Sequence, residues 1–156
     1  KTGAEWAIRN GFTKHKLLID SSFSSIRQDY DRAVEIKGAK SLGGSIFRVD
    51  LDTTHPIGYG FQRRKLSVYK NGLTFFQKSI SPYNTVAQYT ADPVVGGYVH
   101  STTLSKLKNG PSILVGSEGT GRVIFFGDEP NFRGTWYSTN KLFLNALFYG
   151  QLISNQ

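Results

Sequence analysis

The sequence predicts one α/β or α+β domain in which helices flank a mixed β-sheet. Three patterns support this prediction. Residues 45–51 alternate apolar and charged side chains, which is typical of a half-buried strand. Apolar runs at 113–115 and 123–126 flank a glycine-rich loop and predict a β-hairpin. Residues 131–153 are rich in large apolar side chains and predict a long final helix.

Length and composition fit a single globular domain covering residues 1–156. Hydrophobic residues make up 38% of the chain, and 11 Phe, 8 Tyr and 2 Trp supply large apolar surfaces for a core. The apolar runs are too short to cross a bilayer, so no membrane span is expected. The chain begins with Lys1 instead of Met, so we expect it to be a fragment of a larger protein with any targeting segment upstream.

The first part of the chain predicts short helices. Residues 2–10 fit a helix with Thr2 as its N-cap and Gly11 as its end. The apolar run at 17–19 predicts either an edge strand or a turn. Residues 21–40 place apolar side chains at helical spacing and predict one or two helical segments, which end in a turn.

The middle of the chain predicts short strands and one small helix. Residues 66–69 and 73–76 flank an Asn-Gly pair, which is typical of a hairpin between two paired strands. Residues 86–90 predict another strand, which we expect to end at the Asp-Pro pair that follows. Ser101 fits the N-cap of a small helix that runs to Lys108.

The final helix is predicted to be almost fully covered. Its polar residues Ser138, Lys141 and Asn145 fall three and four apart, which predicts one narrow solvent-facing stripe. The remaining large apolar side chains would then be buried against the sheet.

The net charge of +8 raises the possibility of an anionic partner. The basic residues are spread along the chain, and only 63–65 form a cluster, so a solvated basic surface is the favoured interpretation. Residues 58–61 read GYGF, as in an RNA-recognition strand, but Ile57, Gln62 and Arg64 do not fit the flanking positions of that motif. We therefore expect no nucleic-acid partner, and binding of anionic polymers stays an alternative.

Catalytic motifs are weak. The chain has no cysteine, and its three histidines have no metal-site spacing. Asp50, Asp52 and His55 can converge on a cation at a strand end, but a capped strand end is the favoured interpretation. Ser117 lies between two strands and not before a helix, so it is interpreted as a hairpin serine.

The acidic turn at 128–131 is the most suggestive polar feature, because it lies where a buried strand ends and a helix begins. Asp128 or Glu129 can act as a general base, and Arg133 can grip a carboxylate. The favoured alternative is that the acids cap the helix and that Arg133 pairs with one of them.

Residues 121–150 read GRVIFFGDEPNFRGTWYSTNKLFLNALFYG. This stretch closely resembles the end of a class I glutamine-amidotransferase-like domain, found at the C-terminus of large secreted bacterial zinc carboxypeptidases. Residues 47–60, FRVDLDTTHPIGYG, resemble the same domain's central strand and His-Pro turn. The resemblance implies a flavodoxin-like α/β domain, of which this chain would be the C-terminal part, accessory to an N-terminal peptidase domain.

The resemblance also implies a function. The chain lacks the cysteine nucleophile of active amidotransferases, and no residue matches the zinc ligands of the peptidase, so we expect no catalytic residue, metal or cofactor here. The expected role is a non-catalytic, periplasmic or extracellular accessory domain that supports the peptidase domain or presents a peptide or cell-wall ligand. A hydrolase using Asp128 and Glu129 is the alternative. The residues expected to line a vestigial ligand pocket are His55, Tyr59, Asp128, Glu129, Asn131 and Arg133.

Overall fold

A five-stranded antiparallel sheet organises the chain in the computed structural model, which describes residues 3–18 and 27–154. The strand order is β2-β1-β3-β4-β5. The strands are β1 (Ser45–Leu51), β2 (Lys65–Lys70), β3 (Thr85–Gly96), β4 (Pro111–Glu118) and β5 (Gly121–Phe126). The helices are α1 (Gly3–Arg9), α2 (Ala33–Ala39), α3 (Ser101–Leu107) and α4 (Tyr137–Tyr149). The protein is therefore a mixed α/β structure, as the sequence predicts.

All the strand pairings of this sheet are antiparallel, so the parallel pairs of a mixed sheet are not found in the described ranges. The placement of the helices explains this difference. A parallel neighbour requires a long crossover, usually through a helix. Here α1 and α2 precede the sheet and α4 follows it, while β4 and β5 are joined by a tight turn at Gly119 and Thr120. α3 does lie between the neighbouring strands β3 and β4, but these two strands pair antiparallel.

The two faces of the sheet are covered by different helices. The larger core includes Phe47, Val49 and Leu142 and lies on the α4 side. The smaller core contains Phe76, Leu114 and Phe125, and it packs against Ala and Ile side chains of α1. Side chains alternate across β5, so neighbouring residues of this one strand contribute to both cores.

Strand β3 runs through the Asp-Pro pair that was expected to end it. Residues 90–93 lie opposite the single residue Arg48 of β1, because the register shifts between Phe47 and Val49. A proline in this bulge interrupts no regular ladder hydrogen bond. The predicted end of the strand was therefore wrong.

The hairpin predicted around the Asn-Gly pair is also wrong. Strand β2 pairs with β1, and residues 73–76 leave the sheet, where Phe76 forms an isolated bridge with Leu17. Gly72 does adopt the positive φ of 106° that a turn requires, but its N–H donates to Leu42 O at 3.1 Å. The turn therefore redirects the chain instead of folding it back on β2.

The long final helix is present, but the prediction assigned one of its buried positions to solvent and some of its exposed positions to the core. α4 begins at Tyr137 and not at residue 131, which precedes a separate 3-10 turn at Phe132–Gly134. Asn145, expected in solvent, is 6% exposed and donates to the backbone oxygens of Ile57 and Tyr59 at 2.8 and 2.9 Å. Leu147 and Phe148, expected to be buried, are 64% and 68% exposed.

Most other elements match their predictions. α1 and β1 form where expected, and the β4–β5 hairpin is confirmed. α2 confirms a helical segment within 21–40, whereas Thr2, Ile19 and residues 21–26 lie outside the described ranges. α3 is present, but its N-cap is His100 instead of Ser101. None of the described helices is long and apolar enough to cross a membrane.

Candidate functional site

The residues expected to form one pocket lie at opposite ends of the sheet. β1 and β5 run in opposite directions, because three antiparallel pairings connect them through β3 and β4. His55 and Tyr59 follow the end of β1, whereas residues 128–133 follow the end of β5. The structure therefore gives two separate regions, a His55 cavity and an acidic turn.

The His55 region is built by local capping at the end of β1. The Asp52 carboxylate accepts hydrogen bonds from Thr54 N and Thr54 Oγ1, at 2.9 and 2.6 Å. His55 is the N-cap of the 3-10 turn Pro56–Gly58, and its Nδ1 accepts from Ile57 N at 3.1 Å. This is the capped strand end favoured from the sequence, and Asp50 is engaged separately with Arg64 at 2.8 Å.

Two cavities are both lined by His55. The first, of about 290 Å³, is bounded by β4 and by the C-terminal segment. Its polar lining includes Asp52, Asn84 and Ser117. The second, of about 380 Å³, is more open and is lined by Tyr59 and Tyr149, whose rings meet edge to face at 5.5 Å. Several hydrogen-bonding side chains therefore converge on this pair of cavities.

The tautomer of His55 decides what it can do. Because Nδ1 accepts from Ile57 N, the neutral ring carries its proton on Nε2. Burial lowers the pKa of His55, although the Asp52 carboxylate opposes this shift. The histidine is therefore favoured as a neutral hydrogen-bond donor, and its Nε2 is not available to take a proton from Ser117.

Asp128 belongs to a buried network. Its carboxylate accepts hydrogen bonds from Tyr89 Oη and Ser112 Oγ. The Nζ of Lys70 lies close by and donates to Gly127 O, and to Thr74 O at 2.8 Å. Burial raises the pKa of Asp128, while Lys70 and the two hydroxyl donors lower it in part. Burial likewise lowers the pKa of Lys70 and raises that of Tyr89.

The acidic turn does not cap α4. The N-cap of α4 is Trp136, and no side-chain hydrogen bond caps that end in the described structure. Glu129 instead donates its backbone N–H to Tyr69 O at 2.9 Å. Asp128 and Glu129 border a cavity of only about 10 Å³, which is at most the size of one water molecule.

Asn131 and Arg133 lie in the turn that leads to α4. Arg133 has a φ of 51°, and its guanidinium carbon lies 5.2 Å from the centre of the Phe132 ring. Asn131 O accepts from Gly134 N at 2.9 Å. The pairing expected between Arg133 and Asp128 or Glu129 is not seen among the described residues.

Sequence reasoning missed several residues that build these two regions. Ser117 was interpreted only as a hairpin serine, yet it lines the His55 cavity. Lys70, Tyr89 and Ser112 come from three different strands, and no spacing along the chain links them. One available signal was Lys70 itself, because a lysine beside buried strand residues requires partners.

Comparisons with known proteins do not extend this picture. Neither protein-family models, nor curated protein sequences, nor solved structures gave a match to this chain. The site is therefore interpreted from its own geometry.

Proposed function

We propose that this chain is a non-catalytic accessory domain that binds a peptide segment, free or as part of a cell-wall polymer, at the His55 cavity. The observation that carries the proposal is the tautomer of His55. A ring with its proton on Nε2, on a residue that lines a cavity together with Ser117 and Asn84, suits an amide carbonyl as its ligand. The same tautomer is wrong for activating a serine.

The acidic turn offers less support for a hydrolase. A general base must reach the proton that it abstracts. Asp128 is buried and already accepts from Tyr89 and Ser112, and the cavity beside it is too small for a substrate.

A depression lined by basic residues offers less support for a module that binds anionic polymers. It is an open depression of about 460 Å³ lined by Arg63 and Lys141. Lys141 already donates to Gly60 O at 3.0 Å and lies 5.5 Å from the Phe61 ring centre.

The wider assignment remains part of the proposal. Residues 47–60 and 121–150 support a relationship to the amidotransferase-like domain of secreted zinc carboxypeptidases, with a peptidase domain as the partner and a periplasmic or extracellular location. A flavodoxin-like architecture would also require parallel strands, which the antiparallel sheet of the described residues does not supply. The support for this relationship is therefore the sequence resemblance alone.

A matched pair of histidines tests the binding proposal. His100 caps α3 in the same way as His55 caps its turn, with Nδ1 accepting from Thr102 N at 3.3 Å. Asparagine retains the N-cap but removes the Nε2 donor. N-acetyl trialanine amide, titrated by NMR, should shift the amides of Asn84 and Ser117, and His55→Asn should weaken binding about fivefold.

The control variant His100→Asn should bind the peptide as the wild type does. Intact peptide after long incubation would agree with a non-catalytic role. Hydrolysis of the peptide, or equal affinity in the His55→Asn and wild-type proteins, would contradict the proposal.

A further inference from the structure

The outer edge of β5 presents unpaired backbone groups. The pairing of β4 with β5 is regular, and Gly127 N extends it by donating to Ser112 O at 2.8 Å. In an antiparallel ladder, hydrogen-bonded pairs alternate with non-hydrogen-bonded pairs. Val123 and Phe125 therefore bond to β4, and the N–H and C=O groups of Arg122, Ile124 and Phe126 point to the outer edge.

These outward groups have no hydrogen-bond partner within residues 3–18 and 27–154. β5 is the last strand of its sheet. The turn Gly150–Leu152 after α4 contacts β5, and the Arg122 side chain donates to Ile153 O at 2.8 Å, but no backbone hydrogen bond joins this segment to β5 in the described ranges. The edge also lacks the usual protection against strand pairing. It has no bulge and no proline, and Arg122 is its only charged residue.

An apolar shelf lies beside this edge. The ring of Phe143 on α4 meets that of Phe126 at 6.3 Å, and Gly150 lies close to Ile124. Leu147 is one helical turn beyond Phe143 on the same side and is 64% exposed. A strand added to β5 would bury one of its own faces against Phe143 and Leu147.

We propose that β5 and this α4 shelf form a docking site for an extended polypeptide segment of another chain or domain, which adds a sixth strand to the sheet. Alternating backbone donors and acceptors select an extended polypeptide, because its own backbone supplies the complementary groups. The shelf selects apolar side chains at every second position. The net charge of +8 favours a neutral or acidic segment over a second copy of this chain.

The site shares no lining residue with the His55 cavity, although Arg122 donates to Ile153 O at the border of that cavity. The two binding proposals use different probes and different variants, so failure of one leaves the other intact. The probe is a synthetic peptide, acetyl-Thr-Val-Glu-Val-Thr-Val-Glu-amide, added to the ¹⁵N-labelled protein. We expect saturable binding that shifts and protects the amides of Arg122, Ile124 and Phe126. Two N-methylated forms of the probe, methylated on alternate residues, should differ, because only one of them keeps the N–H groups that face β5.

Two surface variants test the shelf. Leu147→Lys should weaken probe binding about tenfold by removing apolar contact. Val34→Lys, at an 81% exposed position on α2, is the matched control and should leave affinity unchanged. No binding, or equal binding of both methylated probes, would overturn the proposal. A homodimer with these same amides protected would also overturn it, by showing that a second copy occupies the edge.

Discussion

The two edges of the sheet are treated differently by the same chain. On β2 the outward carbonyls of Ser67 and Tyr69 accept hydrogen bonds from Trp136 Nε1 at 3.3 Å and from Glu129 N at 2.9 Å. The Phe132 ring also stacks on Tyr69 at 3.8 Å. On β5 the equivalent outward groups have no partner among the described residues.

The difference shows that the segment after β5 covers the outer edge of β2, on the opposite side of the sheet. It leaves the sheet after Gly127, and the buried Asp128 carboxylate holds it by accepting hydrogen bonds from Tyr89 and Ser112. It then crosses to β2 before α4 begins. Lys70, the last residue of β2, ties the two edges together at this end through Gly127 O. The acidic turn is therefore best explained as a structural connection between β5 and β2.

The largest expected effect is a loss of stability from proline on β5, and it should depend on whether the lost N–H faces β4 or the outer edge. Val123→Pro removes an N–H that bonds to β4, and it should destabilise the fold by about 3 kcal/mol or more. Ile124→Pro removes an outward N–H and should cost clearly less. Urea unfolding of both variants measures the difference, and equal destabilisation would mean that the outer edge is also paired.

Removing the Lys70 amine should come next. Lys70→Met leaves Gly127 O, Thr74 O and the Asp128 charge without their cationic partner, and it should cost about 3 kcal/mol. Lys65→Met, at the exposed start of the same strand, should stay within about 0.5 kcal/mol of the wild type. Similar thermal unfolding of the two variants would show that the Lys70 contacts contribute little to the stability of the fold.

A smaller loss of stability is expected when the covering of the β2 edge by Trp136 is weakened. Trp136→Phe keeps an aromatic ring but loses the hydrogen bond to Ser67 O, and it should destabilise the protein by about 1 kcal/mol. Chemical denaturation measures this loss. A variant as stable as the wild type would indicate that Trp136 covers the β2 edge by packing alone, and that its hydrogen bond adds no stability.

The smallest expected effect is a change in pH dependence. Burial raises the folded-state pKa of Asp128 above its ordinary value of 3.8. Its contribution to stability is therefore fully present below pH 3.8 and falls as pH rises through the folded pKa. Asp128→Asn should lack this fall, so its stability relative to the wild type should increase across that window. A pH-independent difference would argue against a buried, titrating Asp128.

Strands and helices with local signals were predictable. Alternation over 45–51 gave β1, and the glycine-rich loop gave the β4–β5 hairpin. The errors came from long-range partners. Asn145 is buried because two backbone oxygens of the Pro56–Gly58 turn region require a donor, and no pattern within α4 records that requirement. Pro93 is tolerated because it lies in a bulge of β3, opposite Arg48 of β1.

The candidate site was predictable only in part. His55 was selected from the His-Pro turn, and Tyr59 does line a cavity with it. Asp128 was selected for the wrong reason, since its partners Tyr89 and Ser112 come from other strands. Strand direction, which separates the two regions, depends on the pairing order and cannot be read from local periodicity.

Residue-resolved amide hydrogen exchange in β5 is the most direct test of the difference between the two edges. We expect an alternating pattern, in which the amides of Val123 and Phe125 are protected by β4 while those of Arg122, Ile124 and Phe126 exchange rapidly. Uniform protection along β5 in the free protein would contradict an open edge.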